Sequence, residues 1–249
     1  MENSEKKIKF EMHFHTDESS PCGKVPAKQG VNMYMENGYN GLVVTDHFSE
    51  NVWGGPEKDW NQVCEGFLQG YRNAKKASEG TDFQILLGME IRFPHDENDF
   101  LVYGISEEFL KNHPWIYRKE LPDLYQIAEE EGLFIVQAHP YRSMCFQADV
   151  RYLHGIEVFN GNPRHQSHNE KALETAEKYH LVQTKGSDFH QPEDIGVWTE
   201  LPEMPATASS DCRGFSVPLP DKLHPVPYWQ PMPAAASVSR RTGKAVPSQ

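Results

Sequence analysis

Two histidines separated by one residue, His13 and His15 in FEMHFHTDESSPCG, are the first side chains along the chain that could share a metal ion. Side chains alternate between the two faces of a strand, so this pair points one way. Further donors follow short apolar runs: Asp46 and His47 in VVTDH, Glu90 in LLGMEI, His139 in IVQAHP, Asp188 and His190 in KGSDFH; Glu157 lies within GIEVFN. Imidazole and carboxylate together suit Zn, Mn or Fe. The four cysteines, Cys22, Cys64, Cys145 and Cys212, are scattered with no CxxC, so neither a disulfide framework nor a closed cysteine-type zinc site is spelled out.

The elements that must position these residues are legible as alternating patterns. Seven apolar runs, IKFEMH, GLVVTDH, FQILLGMEI, DFLVYGI, LFIVQAHP, GIEVFN and HLVQTKGSDFH, are interleaved with helical periodicity at 26–37, 57–79, 120–131 and 166–179. Gly38, Gly80 and Gly132 follow helical runs where a left-handed cap is wanted. Repeated strand then helix implies a mainly parallel α/β sheet, closed as a barrel or open and doubly wound. In a barrel, carboxyl ends of parallel strands open on one face, which would bring the donors together. So many ionisable groups gathered in one place need cations to offset their burial.

Residues 1–204 read as one domain and 205–249 as a Pro/Ala/Ser-rich tail, poorly ordered and either aberrant or a natural interaction tail. Nine of the eighteen prolines fall between 202 and 247, where no apolar period continues. The formal charge of -12 and the lack of a basic cluster argue against nucleic acid as the partner. No apolar run is long enough to span a bilayer and MENSEKKIKF is charged, so the expected location is cytoplasmic, without membrane association. Oligomeric state is not legible.

Taken in order, HFHT…SPCG, TDH, GMEI, QAHP, GIEVFNGN and GSDFH resemble the motifs of the PHP family, the polymerase and histidinol phosphatase domains, from about Lys9 to Trp198. The resemblance implies a distorted seven-stranded (β/α)7 barrel with two or three divalent ions (Zn, Mn or Fe) at the strand ends, acting in phosphoester hydrolysis. It places His13, His15, Glu90 and Asp188 around one ion, Glu90 bridging to a second that also takes His139, and His47 with His190 on a further ion. Two positions depart from the common pattern. Cys22 stands in a loop one residue longer than usual where relatives carry His or Asp, and Asp99 in DFLVYG stands where others often carry His; both are candidate metal ligands.

The chemistry then calls for supporting groups. Arg142 and Arg164 lie just beyond strand ends and could contact phosphate. Asp46 and Glu157 are expected to orient ligand imidazoles. Asp188, His190 and Arg142 are the expected catalytic set, with His190 a candidate proton donor to the leaving group. The substrate expected is a small phosphorylated metabolite or nucleotide, with histidinol-phosphatase-like chemistry among the possibilities. Two alternatives stand: an amidohydrolase-type hydrolase, for which Lys185 is the lysine near a strand end, and a non-catalytic PHP module associated with nucleic-acid enzymes. Trp53 and Trp60, in the loop 48–60, could stack on a substrate ring.

Overall fold

The run IKFEMHF forms strand β1 (Ile8–Phe14) in the computed structural model, which describes residues 8–205. The tail expected over 205–249 therefore lies, beyond Pro205, outside the described residues. β1 pairs in parallel with β2 (Gly41–Val44), and between Glu11↔Leu42 and Phe14↔Val44 it advances three residues against two. That extra residue resets the alternation of faces. Phe10 and Met12 join Val43, Leu101, Tyr103 and Val136 in one buried cluster, Phe14 packs in another with Val31 and Tyr34, and His13 and His15 are left facing the site.

The remaining strands are β3 (His47–Phe48), β4 (Gln84–Ile91), β5 (Phe100–Tyr103), β6 (Phe134–Gln137), β7 (Gly155–Asn160), β8 (Val182–Gly186) and β9 (Thr199–Leu201). Their order is β8-β7-β6-β5-β4-β2-β1-β9, with β3 paired to β4. A parallel bridge between Phe14 and Phe189 draws the segment after β8 against β1, so the barrel is nearly closed. The helices α1 (Ala27–Glu36), α3 (Trp60–Ala77), α5 (Leu121–Glu131) and α6 (Asn169–Tyr179) occupy the expected stretches. α3 starts at Trp60 and not at 57 because the Asp59 carboxylate caps the Asn61 and Gln62 amides. Gly38, Gly80 and Gly132 all take positive φ, as expected of left-handed caps. Short helices α2 (Glu50–Trp53) and α4 (Glu107–Asn112) were not foreseen, being too short to show a period.

One strand departs from the parallel pattern. β5 runs antiparallel to both β4 and β6, with Glu90↔Leu101 and Phe100↔Gln137 in register. Its amino end, preceded by Asp99, therefore meets the carboxyl ends of β4 and β6, and Asp99 reaches the common face from the opposite chain direction. Among the described residues, no helix is long and apolar enough to cross a membrane.

Candidate metal centre

At the floor of the barrel mouth, His13 Nε2 lies 3.1 Å from Glu90 Oε1 and 3.5 Å from Asp188 Oδ1, and His15 Nε2 lies 3.5 Å from both Glu90 Oε2 and Asp188 Oδ1. All four residues are buried. Despite this crowding, His13 Nε2 and His15 Nε2 have no hydrogen-bond partner. Each such buried orphan costs about 1–3 kcal/mol. A ligand atom from each of His13, His15 and Glu90 falls within 4.8 Å of the others, a donor set that fits a divalent cation. Beside it, His139 Nε2 is 3.1 Å from Glu90 Oε1 and 3.9 Å from Asp99 Oδ2, and Glu90, Asp99 and His139 form a second such group. Glu90 is common to both.

The rim is built differently. His47 Nδ1 is 2.6 Å from Glu90 Oε2, while its Nε2 is 3.1 Å from Cys22 Sγ; His190 Nε2 is also 3.1 Å from that sulfur. A third group of potential ligands comprises His15, His47 and His190. The structure thus brings together every metal candidate named from the sequence: His13, His15, Cys22, His47, Glu90, Asp99, His139, Asp188 and His190.

Burial alone would raise the carboxyl pKa values here and lower those of the imidazoles. For Glu90 the rings of His47 and His13 reverse this, and for Asp188 chiefly His13 does so; both carboxyls are held well below their usual range. His13 is raised against its burial by Glu157, Asp188 and Glu90, whereas His15 is lowered by burial and by His190 and His47. Burial also opposes ionisation of Cys22, but hydrogen bonds from His190 and His47 prevail and bring the thiol down to about 6.

The supporting contacts correct part of the sequence reading. Glu157 orients an imidazole as expected: its Oε1 is 3.0 Å from His13 Nδ1, and its Oε2 accepts from the His139 amide at 2.9 Å. Asp46 touches no ring. It accepts from the Thr16 amide and hydroxyl and from Ser20 Oγ, and that hydroxyl in turn meets His15 Nδ1 at 3.2 Å and the His47 amide at 3.0 Å. Glu11, missed from sequence, ties the two sides of the seam by accepting from the amides of His13 (2.8 Å) and Ser187 (2.9 Å). His139 and Asp188 carry positive φ of 27° and 51°. Such non-glycine conformations cost about 1–3 kcal/mol and persist only where surrounding contacts hold them, as Glu157 holds the His139 amide.

A cavity of about 440 Å³ opens over the cluster, with Lys24, Arg92, Arg142 and Arg164 among its lining. Arg142 Nη2 donates to Asp188 Oδ2 (2.6 Å) and Asn160 Oδ1 (2.9 Å), while its buried Nε has no partner. Arg164 is paired with Asp194, and Arg92 with Asp99. Trp53 and Trp60 do not line the cavity: their indole N–H groups donate to the carbonyls of His47 and Leu110, and both rings pack against buried apolar side chains. Lys185 is exposed on β8 and lines a separate groove with Phe159 and Trp198.

Comparison with known proteins agrees with this architecture. An uncharacterized protein of Methanocaldococcus jannaschii is 35% identical over 95 residues, 31% of this chain and 40% of the relative, so the chain spans less than half that protein's length. A two-domain protein of Bacteroides vulgatus, described as containing a predicted PHP-like metal-dependent phosphoesterase, matches with a TM-score of 0.59 at 18% identity, over 80% of this chain and 60% of that one. An amidohydrolase from Chromobacterium violaceum, solved with bound sulfate and no metal, matches with a TM-score of 0.52 at 16% identity, over 78% and 92% of the two chains. At these identities the two solved structures speak to fold alone. The sequence pattern of the PHP domain matches residues 11–187, from the strand that carries the histidine pair to the residue before Asp188, and the chain belongs to the PHP domain family.

Proposed function

We propose that this protein is a metal-dependent phosphoesterase that hydrolyses a small phosphorylated metabolite or nucleotide. The observation that carries the reading is the pair of buried imidazole nitrogens without a hydrogen-bond partner, His13 Nε2 and His15 Nε2, gathered on the Glu90 and Asp188 carboxylates at the base of a cavity walled by cationic side chains. In this reading His13, His15, Glu90 and Asp188 hold one ion, and Glu90 shares a second with His139 and Asp99. Such ions, when bound, activate water and neutralise phosphoryl charge.

The chain's own residues supply the rest. Glu157 fixes the His13 ring, so that Nε2 faces the centre. Arg142, anchored by Asp188 and Asn160, places its guanidinium at the cavity wall beside the cluster as a cationic contact for phosphate, and Arg164 is held at the wall by Asp194. Both ring nitrogens of His190 are engaged, Nδ1 with the Asp188 carbonyl at 2.9 Å and Nε2 with Cys22. We therefore assign His190 to the rim and the leaving-group proton to solvent water.

Lys185 lines another groove and offers no bridging lysine, so an amidohydrolase-type reading would need a carboxylate bridge in its place, and the assay separates the two. The test is elemental analysis of the purified protein, then release of inorganic phosphate from nitrophenyl phosphate and a panel of phosphorylated metabolites, beside a panel of amides. Phosphate release that tracks metal content is expected. Amide turnover without phosphate release would overturn the proposal.

A further inference from the structure

We infer that a second cavity beside the metal centre receives the leaving group of the substrate, and that this group is polyhydroxylated: a sugar or sugar alcohol carrying the phosphate. The inference rests on the phosphoesterase reading and narrows its substrate class. The cavity holds about 890 Å³, against about 440 Å³ for the one over the cluster, and Arg92 lines both. A phosphoester whose phosphoryl group sits over the cluster can therefore extend past Arg92 into the larger space.

The stretch RFPHDEND after β4 builds one part of the lining. Pro94 has no amide to donate, so strand pairing stops there. His95 then takes a positive φ of 65°, the Asp96 amide donates to the Phe93 carbonyl (3.2 Å), and Asp96 Oδ1 accepts from the Asn98 amide (2.9 Å). This turn leaves His95 and Glu97 exposed. Ser49, Glu50 and Asn51, which follow β3, supply another part together with Arg118, whose Nε donates to Glu50 Oε2 at 3.1 Å. Arg92 is fixed where the two cavities meet by its fork on Asp99, Nε to Oδ1 at 2.7 Å and Nη2 to Oδ2.

The charges of the lining are largely spent on one another. Arg92 is paired with Asp99 and Arg118 with Glu50, while Asp96 and Glu97 add negative charge that would repel a second anionic group. A nucleotide base finds no ring to stack on, because Phe93, the aromatic side chain of this lining, is only 4% exposed. What the cavity offers is hydrogen-bond donors and acceptors side by side: guanidinium N–H groups, the Ser49 hydroxyl, the Asn51 amide, the His95 imidazole and the two free carboxylates. A hydroxyl group both donates and accepts, so a polyol satisfies both kinds where an alkyl chain satisfies neither. Sites built to hydrogen-bond hydroxyls discriminate strongly against analogues that lack them.

The experiment uses the full chain loaded with metal. Phosphate release from a hexose phosphate and a hexitol phosphate is compared with release from hexyl phosphate, which has the same carbon count and no hydroxyls. For the two polyol esters kcat/KM is expected to be higher by about a hundredfold. Non-hydrolysable methylene phosphonates of the hexose and of the hexyl chain, titrated calorimetrically, should rank the same way with no turnover involved. Asn51→Ala and Glu97→Ala alter exposed side chains, and each should lower the hexose-to-hexyl ratio about tenfold, the effect of one lost hydrogen bond. Equal rates and affinities for polyol and alkyl compounds, a preference for nucleoside monophosphates over both, or an unchanged ratio in both variants would overturn the leaving-group site while leaving the phosphoesterase reading in place. Absence of phosphate release from every ester, nitrophenyl phosphate included, would overturn that reading and this inference with it.

Discussion

The floor and the rim of the centre differ in burial as much as in chemistry. His13, His15, Glu90 and Asp188 are shut away from solvent, whereas the side chains of His47 and His190 keep 25% and 14% exposure and Cys22 is exposed. Carboxylates occupy the deep position, where an unpaired charge is most costly, so there the demand for a compensating cation is strongest. The rim stays half-open, so its imidazoles and thiol keep part of their hydration and depend less on a cation. The comparison teaches that the floor should bind its ions tightly and together, while the rim exchanges with solvent and is held in shape by its own hydrogen bonds.

Four substitutions sharpen or break this contrast. Glu90→Gln removes charge from the atom pair shared by both floor groups; bound metal is expected to fall by more than one equivalent and phosphate release to be abolished, as read by elemental analysis and turnover. Full metal and full activity in that variant would sink the phosphoesterase reading. His139→Ala should empty mainly one floor position, leaving part of the metal and residual turnover. Gly70→Ala strikes the rim's support from below, since a Cβ there would sit 2.1 Å from Thr16 Oγ1 and 2.7 Å from Asp46 Oδ2. Overpacking of about 1–3 kcal/mol should lower the melting temperature by several degrees and loosen the rim before the floor; an unchanged melt would show that the Thr16–Asp46 strap can shift. The smallest effect is expected of Trp53→Phe, which loses one hydrogen bond to the His47 carbonyl, about 1 kcal/mol, and should leave KM within roughly twofold. A large rise in KM would show that the indole touches substrate after all.

The candidate ligands were legible because donors stand out at the ends of apolar runs, and because the period of two puts His13 and His15 on one side. The fold followed from the same alternation of strand and helix. What escaped was direction and distance. Nothing in DFLVYG tells that β5 runs backwards, since an apolar run reads alike either way, and so the route by which Asp99 arrives was hidden. The bonds of Glu11 to Ser187, 176 residues away, and of Ser20 to Asp46 join positions that no local pattern links. Asp46 was assigned to a ring when it holds a loop, because an acid beside a ligand histidine has the same one-dimensional signature in either role. Trp53 and Trp60 likewise sit in a loop by sequence and in apolar packing by structure.

The seam between Phe14 and Phe189 gives the centre a mechanical side. His13 and His15 stand on one edge of that seam and Asp188 on the other, so an ion coordinated by both edges would cross-link residues about 175 positions apart. By the loop-closure argument used for covalent bridges, a tie of that span removes roughly 5 kcal/mol of chain entropy from the unfolded state. Chelation would then act on this barrel as reduction acts on a disulfide-laced one, releasing the first and last parallel strands from each other at the point where the cylinder closes.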